Sequence, residues 1–211
     1  PVDGYMNPTG ELVNIHPSYL PDLPGKDPVP GSLMFERDSG ATCHRIDAGI
    51  DTGPIIAQIR IPYTPDLDAG ILYQLSFWAE REVFSAALNR DFLPSYTQNP
   101  TGDEIYYSRS AGDQRINFAA DSCEEIVRKV TAFGNRSQGV NFAAGGHEFK
   151  TYAARLLSNP YLLDRVKGYR DGEVIFCYED VVVLYKDAKV LKLERVCGPL
   201  EAIRARDILI V

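Results

Sequence analysis

The sequence predicts a two-part α/β protein, in which an α/β region is followed by a helix and a small, mostly β module. Three observations carry this prediction. Three short apolar runs and one amphipathic stretch fill the first part, three further strand-like runs come near the end, and a polar stretch with two prolines lies between them. We therefore expect domains at residues 1–93 and 121–211, joined by a linker at residues 94–120.

The first part predicts three strands and one helix. The run LVNIH indicates a buried strand that ends before Pro17, and the proline-rich PSYLPDLPGKDPVPG predicts an extended loop rather than a helix. GATCHRID and PIIAQIRIPY predict two more strands, separated by the glycine-bounded turn AGIDTG. Residues 68–88 carry apolar side chains at steps of three and four, which predicts an amphipathic helix.

The second part predicts a helix and then a small antiparallel sheet. Ser122 and Glu125 have the spacing of a capping box, and apolar residues follow at helical spacing, so a helix should begin at Ser122. EVIFCYE, DVVVLYKD and KVLKLERV are strand-like runs separated by one or two turn residues. Such short connections favour antiparallel neighbours, in a sheet or an open barrel.

The composition is that of an ordinary globular chain. Hydrophobic residues make up 45% and charged residues 24% of the 211 residues, and no apolar run approaches the roughly 18 residues that span a bilayer. Four widely spaced cysteines without a C-x-x-C pair favour buried thiols in a reducing compartment over a disulfide framework or a metal site. We therefore expect a cytoplasmic protein that has no membrane partner and no metal.

The charge argues against a dedicated nucleic-acid binder. The net charge is −7, and residues 1–103 carry 6 basic against 14 acidic side chains. Phosphate neutralisation needs clustered cations, which an acidic chain lacks overall. One stretch, from Arg128 to Arg170, has 8 basic and 2 acidic residues, and it keeps contact with tRNA open as a disfavoured alternative to a solvated surface.

Three polar residues of the first part suggest acyl-transfer chemistry. Asn14 and His16 lie two apart in an extended segment and therefore point to the same side, and Asp51 follows in the turn that leaves another strand. A carboxamide can donate to a carbonyl oxygen, an imidazolium can stabilise an oxyanion, and a carboxylate can hold the imidazole charged and accept an amine proton. Each residue type also has common structural roles, so the spacing alone leaves both interpretations open.

Two longer motifs decide between these interpretations. NIHPSYLP, followed by GATCHRIDAGIDTGPIIAQ, resembles the folate-dependent formyltransferase family, which includes glycinamide ribonucleotide, methionyl-tRNA and sugar-nucleotide formyltransferases. The resemblance is close over residues 11–60 and extends more loosely to about residue 88. It implies a partial Rossmann-like formyltransferase core, followed by the small C-terminal module.

The resemblance also implies a reaction and a set of site residues. The reaction would move a formyl group from 10-formyltetrahydrofolate to an amine. Asn14 would bind the formyl oxygen, His16 would stabilise the oxyanion, and Asp51 would work with His16 in proton removal. Backbone groups of Asp47, Ala48, Gly49 and Ile50 would line the pterin, whereas His44 would support the fold.

The chain also departs from the family. Members place several strand–helix units before the Asn-x-His segment, whereas only ten residues, PVDGYMNPTG, precede the stretch ELVNIH here. A sheet that begins at this strand would expose a long edge, which favours missing upstream sequence and also self-association into a homo-oligomer.

Only the C-terminal module and the net charge indicate which amine accepts the formyl group. Both favour a small-molecule amine, such as an amino sugar nucleotide or an amino acid. The alternatives that stay open are a methionyl-tRNA formyltransferase, a non-catalytic folate-binding or scaffold relative, and a hydrolase that releases formate.

Overall fold

The computed structural model describes residues 11–209, and the chain forms two compact units that divide between Arg109 and Ser110. The division falls inside the segment 94–120 that sequence analysis assigns to a linker. Residues 95–98 belong to the first unit, where Ser95, Tyr96 and Gln98 form hydrogen bonds with Ile55, Ile56 and Asp51.

The first unit is built on a three-stranded antiparallel sheet in the order β1-β2-β3, with β1 at Val13–His16, β2 at Ser39–Arg45 and β3 at Ile55–Ile61. These are the three strands that the apolar runs predict. A long helix, α2, covers one face of the sheet over Ala69–Leu88, and the Asp68 side chain caps its first turn by accepting from the Ile71 N–H. The core between them consists of Ala41, Cys43, Ile56, Ala79, Val83 and Ala87.

The expectation of an uninterrupted extended loop after Pro17 is wrong at its end. A helix, α1, occupies Pro28–Phe35 and includes Pro28, Pro30 and Gly31 of the stretch expected to be extended. Both prolines lie in the first turn, where the backbone N–H groups have no intrahelical partner, so the missing donors cost nothing there. The buried positions of Val29 and Leu33 then hold the helix in place.

The second unit begins with α3, at Cys123–Phe133, whose capping box of Ser122 and Glu125 is present as predicted. A hairpin follows, formed by β4 at Val140–Ala144 and β5 at His147–Thr151. A four-stranded antiparallel sheet then has the order β6-β9-β8-β7, with β6 at Ala153–Leu157, β7 at Glu173–Tyr178, β8 at Val181–Lys186 and β9 at Lys189–Glu194. A short helix, α4, spans Pro160–Arg165.

The three predicted terminal strands are therefore present and antiparallel. Strands β4 to β6 and helix α4 have no individual counterpart in the sequence prediction, because they are short and, in β6, partly exposed. Cys43 and Cys123 are buried thiols as expected, whereas Cys197 is exposed, so the expectation is wrong for that residue. Within residues 11–209, no helix is long and apolar enough to cross a bilayer.

Candidate active site

The sheet of the first unit separates an apolar face from a polar one. Alternation along β1 and β2 turns Ile15, Ala41 and Cys43 towards α2. Asn14 and His16 consequently lie on the opposite face, where the antiparallel register pairs Asn14 with His44 and His16 with Thr42. The candidate site therefore lies on the side of the sheet that α2 does not cover.

Asp51 reaches this face from the turn between β2 and β3. Its φ of 56° lies in the left-handed region, which aspartate tolerates better than most residues. Two bonds from the Gln98 side chain, to the backbone carbonyls of Asp51 at 2.7 Å and Gly53 at 2.8 Å, hold the turn. Gly53 is required, because a Cβ there would lie 1.8 Å from the Arg45 carbonyl oxygen.

The carboxylate of Asp51 is the centre of the cluster. Its Oδ1 accepts from Asn14 Nδ2 at 3.3 Å and lies 3.4 Å from His44 Nε2. Its Oδ2 accepts from the Gly25 N–H at 2.9 Å and lies 3.5 Å from His16 Nδ1. The structure thus brings the three predicted catalytic residues together, and the Asp51 side chain keeps 14% exposure.

His16 is fixed on both sides of its ring. Its Nε2 lies 2.9 Å from the Leu23 carbonyl oxygen, which can only accept, so Nε2 carries a proton. Its Nδ1 then faces Asp51. Burial lowers the pKa of His16 and outweighs the Leu23 carbonyl and the Asp51 charge, which raise it. The ring is therefore neutral at pH 7, and a lone pair on Nδ1 faces the carboxylate.

Asp51 itself is ionised. Burial alone would raise its pKa, but the hydrogen bond with His44, the bond from Gly25 and the electrostatic influence of the His16 and His44 rings lower it to about 2. An ionised carboxylate and an imidazole lone pair that face each other at 3.5 Å leave room for a proton between them. This pair can accept a proton from a third group.

His44 contributes more directly than the sequence suggests. Its ring is buried at 2% exposure, its Nδ1 donates to the Arg45 carbonyl at 2.8 Å, and its Nε2 contacts both Asn14 and Asp51. The sequence predicts a supporting role for His44 and does not indicate these partners. Only the register that pairs it with Asn14 identifies it, together with Leu23 and Gly25, which carry no chemical signature in the sequence.

The turn Asp47–Ile50, predicted to line a pterin, is exposed along its whole length. Asp47 Oδ1 accepts from the Gly49 N–H at 3.0 Å and from the Thr52 hydroxyl at 2.7 Å, so its carboxylate shapes the turn. Ile50 presents an apolar side chain that is 60% exposed. Among residues 11–209, no group of three or more His, Cys, Asp or Glu side chains is arranged to hold a metal ion.

The first unit is therefore an α/β unit whose cluster of Asn14, His16, His44 and Asp51 is suited to accepting a proton. Residues 5–88 match the family model described as Formyl transferase. Methionyl-tRNA formyltransferase of Thermus thermophilus is 35% identical over 128 residues, which are 59% of this chain and 41% of the relative. Phosphoribosylglycinamide formyltransferase of Mycobacterium tuberculosis is 39% identical over 80 residues, 37% of each chain.

Solved structures agree in fold. The N-formyltransferase from Helicobacter canadensis, solved with folinic acid and dTDP-3-aminofucose, has a TM-score of 0.65 at 22% identity, covering 87% of this chain and 65% of that one. A HypX variant from Aquifex aeolicus has a TM-score of 0.67 at 20% identity, covering 87% and 31%. The expected Rossmann-like α/β class is confirmed, whereas barrel-like closure of the second unit is not.

Residues 5–88 therefore match the formyltransferase family, and the formyltransferases named above are similar to this chain over 80 to 128 residues. The chain spans less than half of the length of the curated relatives it matches.

Proposed function

We propose that this chain transfers a formyl group from 10-formyltetrahydrofolate to the amine of a small acceptor, such as an amino sugar attached to a nucleotide or an amino acid. The observation that carries the proposal is the convergence of Asn14, His16 and Asp51 on the uncovered face of the sheet. The ligands of structurally similar proteins support it: folinic acid and dTDP-3-aminofucose in the Helicobacter canadensis N-formyltransferase, and tetrahydrofolic acid in a HypX structure.

The exposed turn Asp47–Ile50 fits a flat, hydrogen-bonding ring. Ala48 and Gly49 carry little or no side chain, so a ring can approach their backbone N–H and C=O groups closely. Ile50 offers apolar surface next to them. When bound, 10-formyltetrahydrofolate supplies the formyl carbon, and this turn would hold its pterin.

His16 and Asp51 would remove the proton of the attacking amine. The amine must lose one proton as its nitrogen bonds to the formyl carbon, and His16 Nδ1, which faces Asp51 Oδ2, would accept that proton. The protonated ring would then carry positive charge beside the Asp51 carboxylate, in the imidazolium form that the sequence predicts. That charge would favour negative charge on a nearby carbonyl oxygen. His16 would then return the proton to the folate nitrogen as the bond between that nitrogen and the formyl carbon breaks and tetrahydrofolate leaves.

Asn14 would orient the carbonyl oxygen. Its Nδ2 lies 3.3 Å from Asp51 Oδ1 and 3.4 Å from His44 Nε2, and both distances are longer than those of a typical hydrogen bond from an N–H group. Hydrogen bonds of this length are weak, so Asn14 can exchange one of them for a stronger bond to a carbonyl oxygen that gains negative charge. His44 would hold Asn14 and Asp51 in place throughout.

A second candidate is a methionyl-tRNA formyltransferase. The match to the Thermus thermophilus enzyme covers 59% of this chain and so extends beyond the family-model segment. The net charge of −7 counts against a polyanionic acceptor.

One assay separates these functions. The full chain is mixed with 10-formyltetrahydrofolate and, in turn, a dTDP-linked amino sugar, free amino acids, glycinamide ribonucleotide or methionyl-tRNA. Tetrahydrofolate release is followed by absorbance, and the formylated product is identified by mass. Turnover with the amino sugar or an amino acid supports the proposal. Turnover with methionyl-tRNA alone supports the second candidate, and formate release without acceptor indicates a hydrolase. Folate binding without release of tetrahydrofolate contradicts all three.

A further inference from the structure

Tyr106 combines two properties that rarely occur together, because it is 58% exposed and yet lies in a firmly held segment. Its neighbour Tyr107 is buried at 7% exposure, with its ring 5.5 Å from that of Phe35 in an edge-on contact. The fold therefore anchors Tyr107 and presents Tyr106 outwards.

Hydrogen bonds on both sides fix this segment to the loop that precedes α1. The Ile105 N–H donates to Asp22 Oδ1 at 3.0 Å, and the Asp27 N–H donates to the Tyr107 carbonyl at 3.4 Å. The Arg109 N–H donates to Asp27 Oδ2 at 3.2 Å. A tyrosine that is held in this way loses little conformational freedom when it binds a ligand.

The Tyr106 ring lies directly beside the catalytic cluster. It packs against Gly25 so closely that a Cβ on that glycine would meet the Tyr106 Cε2 at 2.4 Å. The N–H of the same Gly25 donates to Asp51 Oδ2 at 2.9 Å. One residue therefore separates the exposed ring from the carboxylate that faces His16.

A cation follows on the same segment. Arg109 Nε pairs with Asp27 Oδ1 at 3.5 Å, and the Arg109 side chain remains 40% exposed. A guanidinium carries five donors, so one that is paired through Nε can still bind a phosphate through its outer nitrogens. An aromatic ring followed by a guanidinium matches a ligand that carries a ring and a phosphate.

We propose that Tyr106 and Arg109 form the acceptor-binding side of this site and select a nucleoside diphosphate-linked amine. Tyr106 would pack against the base, and Arg109 would bind the diphosphate. This inference rests on the proposed function and narrows its acceptor. A flat ring beside Tyr106 also has a second source, the folate itself, so the test must separate the two.

Binding of thymidine diphosphate to the full chain, measured by calorimetry, tests the inference without requiring turnover. We expect Tyr106→Leu to weaken the binding of thymidine diphosphate at least about fivefold, because the variant loses the stacking of the base on an aromatic ring. Tyr106→Phe keeps the ring and should bind within about twofold of the parent. Arg109→Gln should also weaken binding and flatten its dependence on salt. Folinic acid binding should stay unchanged in all three variants.

Trp78→Leu is the matched control, because Trp78 is 62% exposed on α2, across the sheet from the cluster. It should bind both ligands like the parent, and melting temperatures verify that each variant folds.

The inference is overturned if the parent does not bind thymidine diphosphate, if Tyr106→Leu binds it like the parent, or if that variant loses folinic acid instead. Formyl transfer to a non-nucleotide amine would still support the proposed function, so the two failures are distinguishable.

Discussion

At the scale of single residues, the candidate site depends on an ionised carboxylate that faces a neutral imidazole. Removing the charge of Asp51 without changing its size tests this arrangement. We expect Asp51→Asn to lower kcat by roughly a hundredfold or more, since a positioned acid–base group contributes about 10²–10⁴. Formyl-transfer rates and circular dichroism measure activity and fold. Asp38→Asn, whose carboxylate pairs with Arg60 and does not belong to the cluster, should retain activity. Unchanged turnover in Asp51→Asn would remove Asp51 from the mechanism.

The protonation of His16 predicts a pH profile. Burial lowers its pKa below the ordinary 6.5, and only the neutral ring accepts a proton. We therefore expect kcat/KM to fall as the pH drops through that lowered pKa, and His16 to cause no change above pH 6.5. The pH profile of kcat/KM is measured with two acceptors whose amine pKa values differ. A limb due to His16 keeps the same midpoint with both acceptors, whereas a limb due to the amine shifts with the pKa of the amine. An enzyme-linked limb above pH 6.5 would contradict this assignment.

At the scale of elements, α2 holds the sheet that positions the cluster. Leu72 is fully buried at 0% exposure, whereas Leu88 of the same helix is 54% exposed. We expect Leu72→Ala to reduce the free energy of unfolding by about 2–5 kcal/mol, because it opens a cavity in the core. Leu88→Ala, the same change on the exposed side, should cost less than about 1 kcal/mol. Urea unfolding measures both, and equal losses would show that α2 does not pack as described.

The capping box of α3 makes a second prediction at this scale. The Ser122 side chain accepts from the Glu125 N–H, and the Glu125 carboxylate accepts from the Ser122 N–H at 2.7 Å. Ser122→Ala should lower the stability of the second unit by about 1 kcal/mol, since the helix then loses its cap. Ser158→Ala, at an exposed position outside any helix or strand, provides the control in the same denaturant titration. A loss as large in Ser158→Ala would contradict the capping explanation.

At the scale of the whole molecule, charge separates the candidate acceptors. The net charge is −7, and within the basic stretch Arg155, Lys167 and Arg170 pair with carboxylates of the same unit. We therefore expect no salt-sensitive electrophoretic shift of tRNA by the full chain between low and moderate salt. A shift that weakens steeply with salt would favour the methionyl-tRNA alternative. As a control, the chain is run with and without heparin on the same gel. A shift with heparin as well as with tRNA would show that the chain binds polyanions in general.

The sequence by itself determined the elements that have a strong local period, and it supplied the candidate site residues. Alternating apolar runs predict β1, β2 and β3, helical spacing predicts α2, and the spacing of Ser122 and Glu125 predicts the start of α3. The two motifs supply Asn14, His16 and Asp51. Local rules suffice here because period and capping depend on neighbours in the chain.

Only the tertiary structure decided which groups meet. The register that sets His44 opposite Asn14, and the loop that brings Leu23 and Gly25 to the cluster, depend on packing between segments far apart in the chain. The same holds for Pro28–Phe35, where burial of Val29 and Leu33 makes a helix from a segment whose prolines locally suggest extended backbone. Tyr106 acquires its place against Gly25 in this way too. Contacts of this kind have no local period, so the sequence supplies their chemistry but not their positions.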